Sequence, residues 1–242
     1  VALWSAISGL HVNSQFSFSF DQLMDLTRMA GGLVKKNNPN GRTMIELTQP
    51  WGEYYAGNQR SIPPLLYAEM VVQSGVQFDV FGVQLRFGLP REGCWVRDLF
   101  QISCLLDRFA PLGKPLMISG LQVPSAPAEE NATAGEWRKP WSESLQAKWL
   151  EAVTVLALSK PYVEAICWHE LTDPSVSTSR VLSMPHGGIA GSDATPKQAT
   201  RTGASLRRAV AGFRQGPSAT PPKPPGSGTG SGPGGASAPA GP

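Results

Sequence analysis

Long apolar runs are missing from this chain of 242 residues. None approaches the roughly 20 residues of a membrane span, so no membrane partner is expected. Charge of one sign is missing too. The 21 Lys and Arg against 18 Asp and Glu leave a formal +3, too little to point to nucleic acid. Cysteine is scarce: Cys94, Cys104 and Cys167 are odd in number and match no zinc or redox spacing. Buried free thiols are expected, with a Cys94–Cys104 bridge open only if the fold brings them together. No set of His, Cys and carboxylates has metal-ligand spacing, so neither metal nor cofactor is expected. No glycine-rich phosphate loop follows any strand-like segment, which weighs against nucleotide binding. No Gly-x-Ser-x-Gly pattern supports serine hydrolase chemistry. The chain opens on Val1 inside a strand-like run and shows no signal peptide, so it reads as a fragment or processed product. The compartment, extracellular or periplasmic included, stays open, as does the oligomeric state. The sequon Asn131-Ala132-Thr133 matters only in a eukaryotic secretory setting.

What is present supports one globular domain followed by a tail. Hydrophobic residues make up 41% and charged residues 16%, enough for a sizeable core. The domain is assigned to 1–214 and the tail to 215–242. From Gly216 to Pro242, 16 of 27 residues are Gly or Pro and Lys223 is the sole charge. Such a segment buries too little apolar surface to offset its ordering entropy, so a disordered tail is expected.

Within the domain, strand and helix signals alternate. Strands are expected at Ala2–Leu10, Thr43–Thr48, Phe78–Phe87, Pro115–Val123 and Val163–Trp168. Ser19 and Gln22 form a capping box for a helix to about Met29, stopped by Gly31-Gly32. Pro63-Pro64 opens a second helix. Trp95–Leu112 reads as a third, Ser142 caps a fourth, and the last runs from about Pro196 to Phe213. Arg201, Arg207, Arg208 and Arg214 give that helix a solvated face. Five units in strict alternation imply an α/β fold with parallel strands and right-handed crossovers. An open doubly wound sheet and part of an eight-fold barrel both fit. Polar residues gathered after each strand favour the barrel, a partial (β/α)8 TIM barrel of about five units.

Two strands end in aromatic and acidic residues. Val163–Trp168 runs into His169-Glu170-Leu171-Thr172-Asp173, and Ile45–Thr48 into Gln49-Pro50-Trp51-Gly52-Glu53-Tyr54. Trp51, Tyr54, Trp168, Trp137 and Trp141 offer flat surfaces on which pyranose C–H faces stack, or pack as rim and core. Trp149 and Trp95 read as packing residues. A carbohydrate is therefore the expected partner. The loop Pro124–Pro140 is long enough for a cleft wall or a surface excursion.

These residues resemble glycoside hydrolase family 10, the xylanase-type barrels, over most of Val1 to Phe213. Phe78-Asp79-Val80-Phe81-Gly82-Val83-Gln84-Leu85-Arg86 is similar to that family's sixth-strand pattern, with Arg86 where a histidine is expected. Ile166-Cys167-Trp168 and Leu171-Thr172-Asp173 are similar to the eighth-strand pattern, and Pro196-Lys197-Gln198-Ala199 to the start of its last helix. The resemblance implies that the five strands are the fourth to eighth, with the first three absent. It also implies carbohydrate-binding roles for Gln84, Arg86, Trp168, His169 and Asp173 beside Trp51 and Tyr54. The family's acid/base and nucleophile glutamates fall at Gly9 and Gly120, which hold no side chain to transfer a proton or attack carbon.

Other carboxylates stand on the expected rim. Glu53 adjoins Trp51, Tyr54 and Tyr55, whose apolar surroundings suit a protonated acid; equally, it suits a hydrogen bond to a sugar or to loop backbone. Glu170 is the second carboxylate for such chemistry. Glu46 lies inside its strand, facing either into a barrel layer or out toward a helix, and reads first as a structural ion-pair member, while His169 suits either substrate contact or strand capping. The expected function is therefore a divergent glycoside hydrolase acting on xylan-type β-linked saccharide, with Glu53 and Glu170 catalytic. The alternative is a carbohydrate-binding relative that has lost both glutamates. A tethered scaffolding domain is a third possibility.

Overall fold

The computed structural model describes residues 2–89, 92–127, 139–174, 184–215 and 241. The five strands are β1 (Leu3–Ser8), β2 (Arg42–Leu47), β3 (Val80–Arg86), β4 (Leu116–Gln122) and β5 (Val163–Trp168). Between and after them come α1 (Phe20–Asn37), α2 (Pro64–Gln73), α3 (Leu99–Phe109), α4 (Glu143–Leu158) and α5 (Gln198–Gln215). The sheet order is β1-β2-β3-β4-β5, and every neighbouring pair is parallel. The strict alternation expected from sequence is thus the alternation found.

Period-two patterning decides which way each strand faces. On β2, Ile45 and Leu47 point into the core beneath the helices, while Met44 and Glu46 take the opposite face. Val83 and Leu85 of β3 and Ile118 and Leu121 of β4 join the same core, against Leu23, Tyr67, Val71, Ile102, Leu106, Trp149 and Val153. Each such side chain contributes about 1.5–3 kcal/mol by leaving water. One ion pair links strands that are not neighbours in the sheet: Arg42 at the start of β2 meets Glu164 at the start of β5 at 2.7 Å.

Local signals set most helix starts. Ser19 and Gln22 make the expected capping box of α1. Asp98 and Gln101 make a second one, which starts α3 at Leu99 rather than Trp95. Gly31-Gly32 does not end α1, which continues to Asn37. Gly31 instead serves a close approach: a Cβ there would stand 2.9 Å from the Gln77 carbonyl oxygen. All three cysteines are free, but only Cys94 is buried; Cys104 and Cys167 are exposed, against expectation. Among the described residues no helix is long and apolar enough to cross a membrane. The sequon, Trp137, most of the Pro124–Pro140 loop and nearly all of the tail lie outside the described residues.

Candidate functional site

A cavity of about 480 Å³ opens at the carboxyl ends of the strands. Ser8 and Gly9 close β1, Thr48 and Gln49 follow β2, Gln84 and Arg86 end β3, and His169 follows β5. Loop residues Val12, Ser14, Gln15, Glu92, Gly93 and Cys94 form its walls. Parallel strands ending together leave their last side chains convergent, which is why this end of an α/β sheet supplies sites. Three other cavities are larger, one beside the start of α1, one between α4, α5 and β5, and one between the start of α3 and the side of α4. None gathers the ends of several strands.

The floor and rim of the cleft are hydrogen-bonded. Ser8 donates to the Glu46 carboxylate. Arg86 Nε donates to Gln122 Oε1 at 2.9 Å, and Gln122 Nε2 donates to Glu170 Oε2 at 2.6 Å. Among the described residues, the side chains of Gln49, Gln84 and His169 have no hydrogen-bond partner. Burial, then the Arg86 charge, lower the His169 pKa below its ordinary value, against opposing pulls from Glu170 and Glu46. The ring is therefore neutral near pH 7, with one donor and one acceptor nitrogen.

Gly9 and Gly120 leave little room for a Cβ. Gly9 has φ +64, and a Cβ there would lie 2.7 Å from Thr48 Oγ1. Gly120 pairs with Gln84, and a Cβ on it would lie 3.0 Å from His169 Nδ1 and 3.2 Å from Gln84 Cγ. The His169 ring and the Gln84 stem occupy the space that a side chain at position 120 would need.

The structure gathers Gly9, Gln84, Arg86 and His169 at the cleft, with Gly120 against two of them and Glu170 one hydrogen bond behind Arg86's partner. The other expected residues are engaged nearby or elsewhere. Glu53 forms an ion pair with Arg97 and accepts the Gly93 N–H at 2.7 Å. Trp51 lies under the Arg97 guanidinium, 5.1 Å away, and against Phe87. Tyr54 is buried; its hydroxyl donates to the Ile62 carbonyl at 2.6 Å, and burial raises its pKa. Trp168 donates to the Gly187 carbonyl at 2.9 Å and packs on the helix-side core. Asp173 is paired with Lys197 and accepts the Gly188 N–H.

Two residues of the site were not singled out as binding groups. Glu46 accepts a hydrogen bond from Ser8, which lines the cleft, and makes no ion pair among the described residues. Its alternation with Ile45 and Leu47 carried that signal, since both of those are core residues. Gln49 stands directly past a strand end, where a polar residue before Pro50-Trp51 was the available cue. Among the described residues no group of three or more His, Cys, Asp or Glu is arranged to hold a metal ion.

No family model matches the chain, and no curated protein matches it by sequence. Solved structures do. Xylanase 10B from Thermotoga maritima is 16% identical with a TM-score of 0.60, covering 87% of this chain and 62% of that one. Xylanase 10B from Thermotoga petrophila RKU-1, solved with xylobiose, is 14% identical with a TM-score of 0.56, covering 88% and 61%. A beta-D-glucuronidase of Dictyoglomus thermophilum is 13% identical with a TM-score of 0.56, covering 87% and 32%. The chain spans about three fifths of the length of these two xylanases. Identity this low carries the architecture alone: the chain folds as five consecutive β/α units of a TIM barrel.

Proposed function

We propose that the cleft binds a neutral β-linked saccharide of the xylan type without hydrolysing it. The observation that carries this reading is glycine at positions 9 and 120, neither of which supplies a carboxylate to the cleft. Hydrolysis needs a proton donor and an opposing carboxylate about 5–9.5 Å apart across the bond. Position 9 has a left-handed backbone beside Thr48, and position 120 stands beside His169 and Gln84, so a side chain at either would require its neighbours to shift. The unbonded amides of Gln49 and Gln84 and the neutral His169 ring suit sugar hydroxyls, which both donate and accept. Each such bond contributes about 0.5–1.5 kcal/mol.

Hydrolysis with Glu53 as acid/base and Glu170 as partner is the second reading. Glu170 favours it, because its carboxylate lies beside the cleft through Gln122. Glu53 weighs against it, because Arg97 and the Gly93 N–H already engage its oxygens. Calorimetric titration with xylotetraose, run beside a reducing-sugar assay on xylan and β-glucan, separates the two. Heat without sugar release supports binding alone. Sugar release abolished in Glu53→Gln supports hydrolysis, and no heat at millimolar ligand removes the saccharide reading.

A further inference from the structure

Resting on the saccharide reading of the cleft, the geometry points to Gln49 as a ligand-contacting residue held in a strained state by the Glu53–Arg97 pair. Gln49 has a left-handed backbone, φ 47, which costs a non-glycine residue free energy. It also precedes Pro50, a position that favours extended backbone. Its amide oxygen is buried without a partner, a second unfavourable term on the same residue. Glycine here would remove both.

The surroundings explain how the state persists. A Cβ on Gly93 would stand 2.5 Å from Gln49 Cγ, so the glutamine stem fills the space in front of the Gly93 backbone. The Gly93 N–H is held by one oxygen of Glu53, whose other oxygen meets Arg97. Arg97 rests on Trp51, and Trp51 on the buried Phe87. The chain of contacts from the core to Gly93 leaves the Gln49 oxygen against the wall. Its NH2 group is not among the buried unpartnered atoms, and the residue lines the cleft. Gln49 thereby offers two N–H donors to a saccharide oxygen, and Glu53 acts as a positioning residue rather than a catalytic one.

The test measures melting temperature and xylotetraose affinity together, on the full chain and on Gln49→Gly and Gln49→Asn. Gln49→Gly is expected to melt about 2–4 °C higher, because left-handed strain is relieved. It is also expected to bind xylotetraose about tenfold more weakly, because the donor is gone. Gln49→Asn, which tolerates the backbone but does not reach as far, is expected to bind more weakly without melting lower. A Gln49→Gly protein that binds as tightly as the parent overturns this inference and leaves the cleft reading standing. Weaker binding joined to a lower melting temperature also overturns it, since Gln49 would then be a structural residue. Absence of heat from the parent chain overturns both readings.

Discussion

His169 Nδ1 stands 3.0 Å from the point where Gly120 would carry a Cβ. That separation is tighter than ordinary carbon–nitrogen contact, so the ring and the glycine define one another. Placing a carboxylate at this position therefore strains the packing before it can affect chemistry. Gly120→Glu is expected to cost about 1–3 kcal/mol by overpacking. Adding His169→Ala should return a good part of that, a non-additive result readable in a urea double-mutant cycle. Equal destabilisation in the single and double variants would show that the ring is not the obstacle.

Gly31 and Gly32 are neighbours in α1 with opposite expected behaviour. A Cβ on Gly32 meets nothing within 4 Å, so Gly32→Ala should stabilise by the helix-propensity difference, about 1 kcal/mol. A Cβ on Gly31 meets backbone at 2.9 Å, which cannot yield as a side chain would. Gly31→Ala should therefore destabilise by about 1–3 kcal/mol despite its better propensity. Thermal melts of the two variants check the contrast; matching signs would refute the close approach.

His11 makes stability depend on pH. It is fully buried, its Nε2 lies 3.0 Å from the Thr48 carbonyl, and burial lowers its pKa to about 4, with that hydrogen bond opposing. The unfolded chain takes up this proton near pH 6.5, the folded chain only near 4. Through that window the unfolded state binds more protons, so stability falls as pH falls. The full effect is on the order of 3 kcal/mol. Urea midpoints measured from pH 7 to pH 4 should decline in the parent and decline less in His11→Gln.

Lys197 and Asp173 form a buried pair, with side chains 7% and 14% exposed, at 2.6 Å. The ammonium also donates to Ser125 Oγ at 2.8 Å and the Gly188 carbonyl at 3.0 Å, tying the loop after β4 to the start of α5. Removing one charge strands the other away from water. Lys197→Met is expected to destabilise by about 3–5 kcal/mol, and the Lys197→Met/Asp173→Leu pair by less. If Asp173 serves the fold rather than the ligand, Asp173→Asn lowers the melting temperature with xylotetraose affinity unchanged, which parallel melting and titration would show.

The architecture was legible because it rests on short-range pattern. Val163–Trp168 was read with its observed limits, since a largely apolar run stops at His169 and Glu170. Parallel pairing followed from alternation alone. The length of α1 was not legible, because a glycine that stops a helix and a glycine that admits a neighbouring backbone look alike in sequence. The site was half legible for the same kind of reason. Gln84, Arg86 and His169 lie at strand ends, where chain position decides direction. Glu53 was read by its chain neighbours Trp51 and Tyr54, but its surroundings are set by Arg97 and Gly93, some forty residues away. Tyr54 turns inward to Ile62, a choice made by packing that local pattern does not encode.

The Arg42–Glu164 bridge joins residues 122 positions apart, yet both side chains remain substantially wetted. Such a pair contributes at most about 1 kcal/mol, so it does little to hold the native state. Its value lies in time rather than strength. Every strand–strand ladder here links sequence neighbours, so folding can zip forward unit by unit with modest loop-closure entropy. The bridge forms only once all those ladders have curled the sheet, and a probe placed on it would report the last stage of assembly, with low φ-values at both ends.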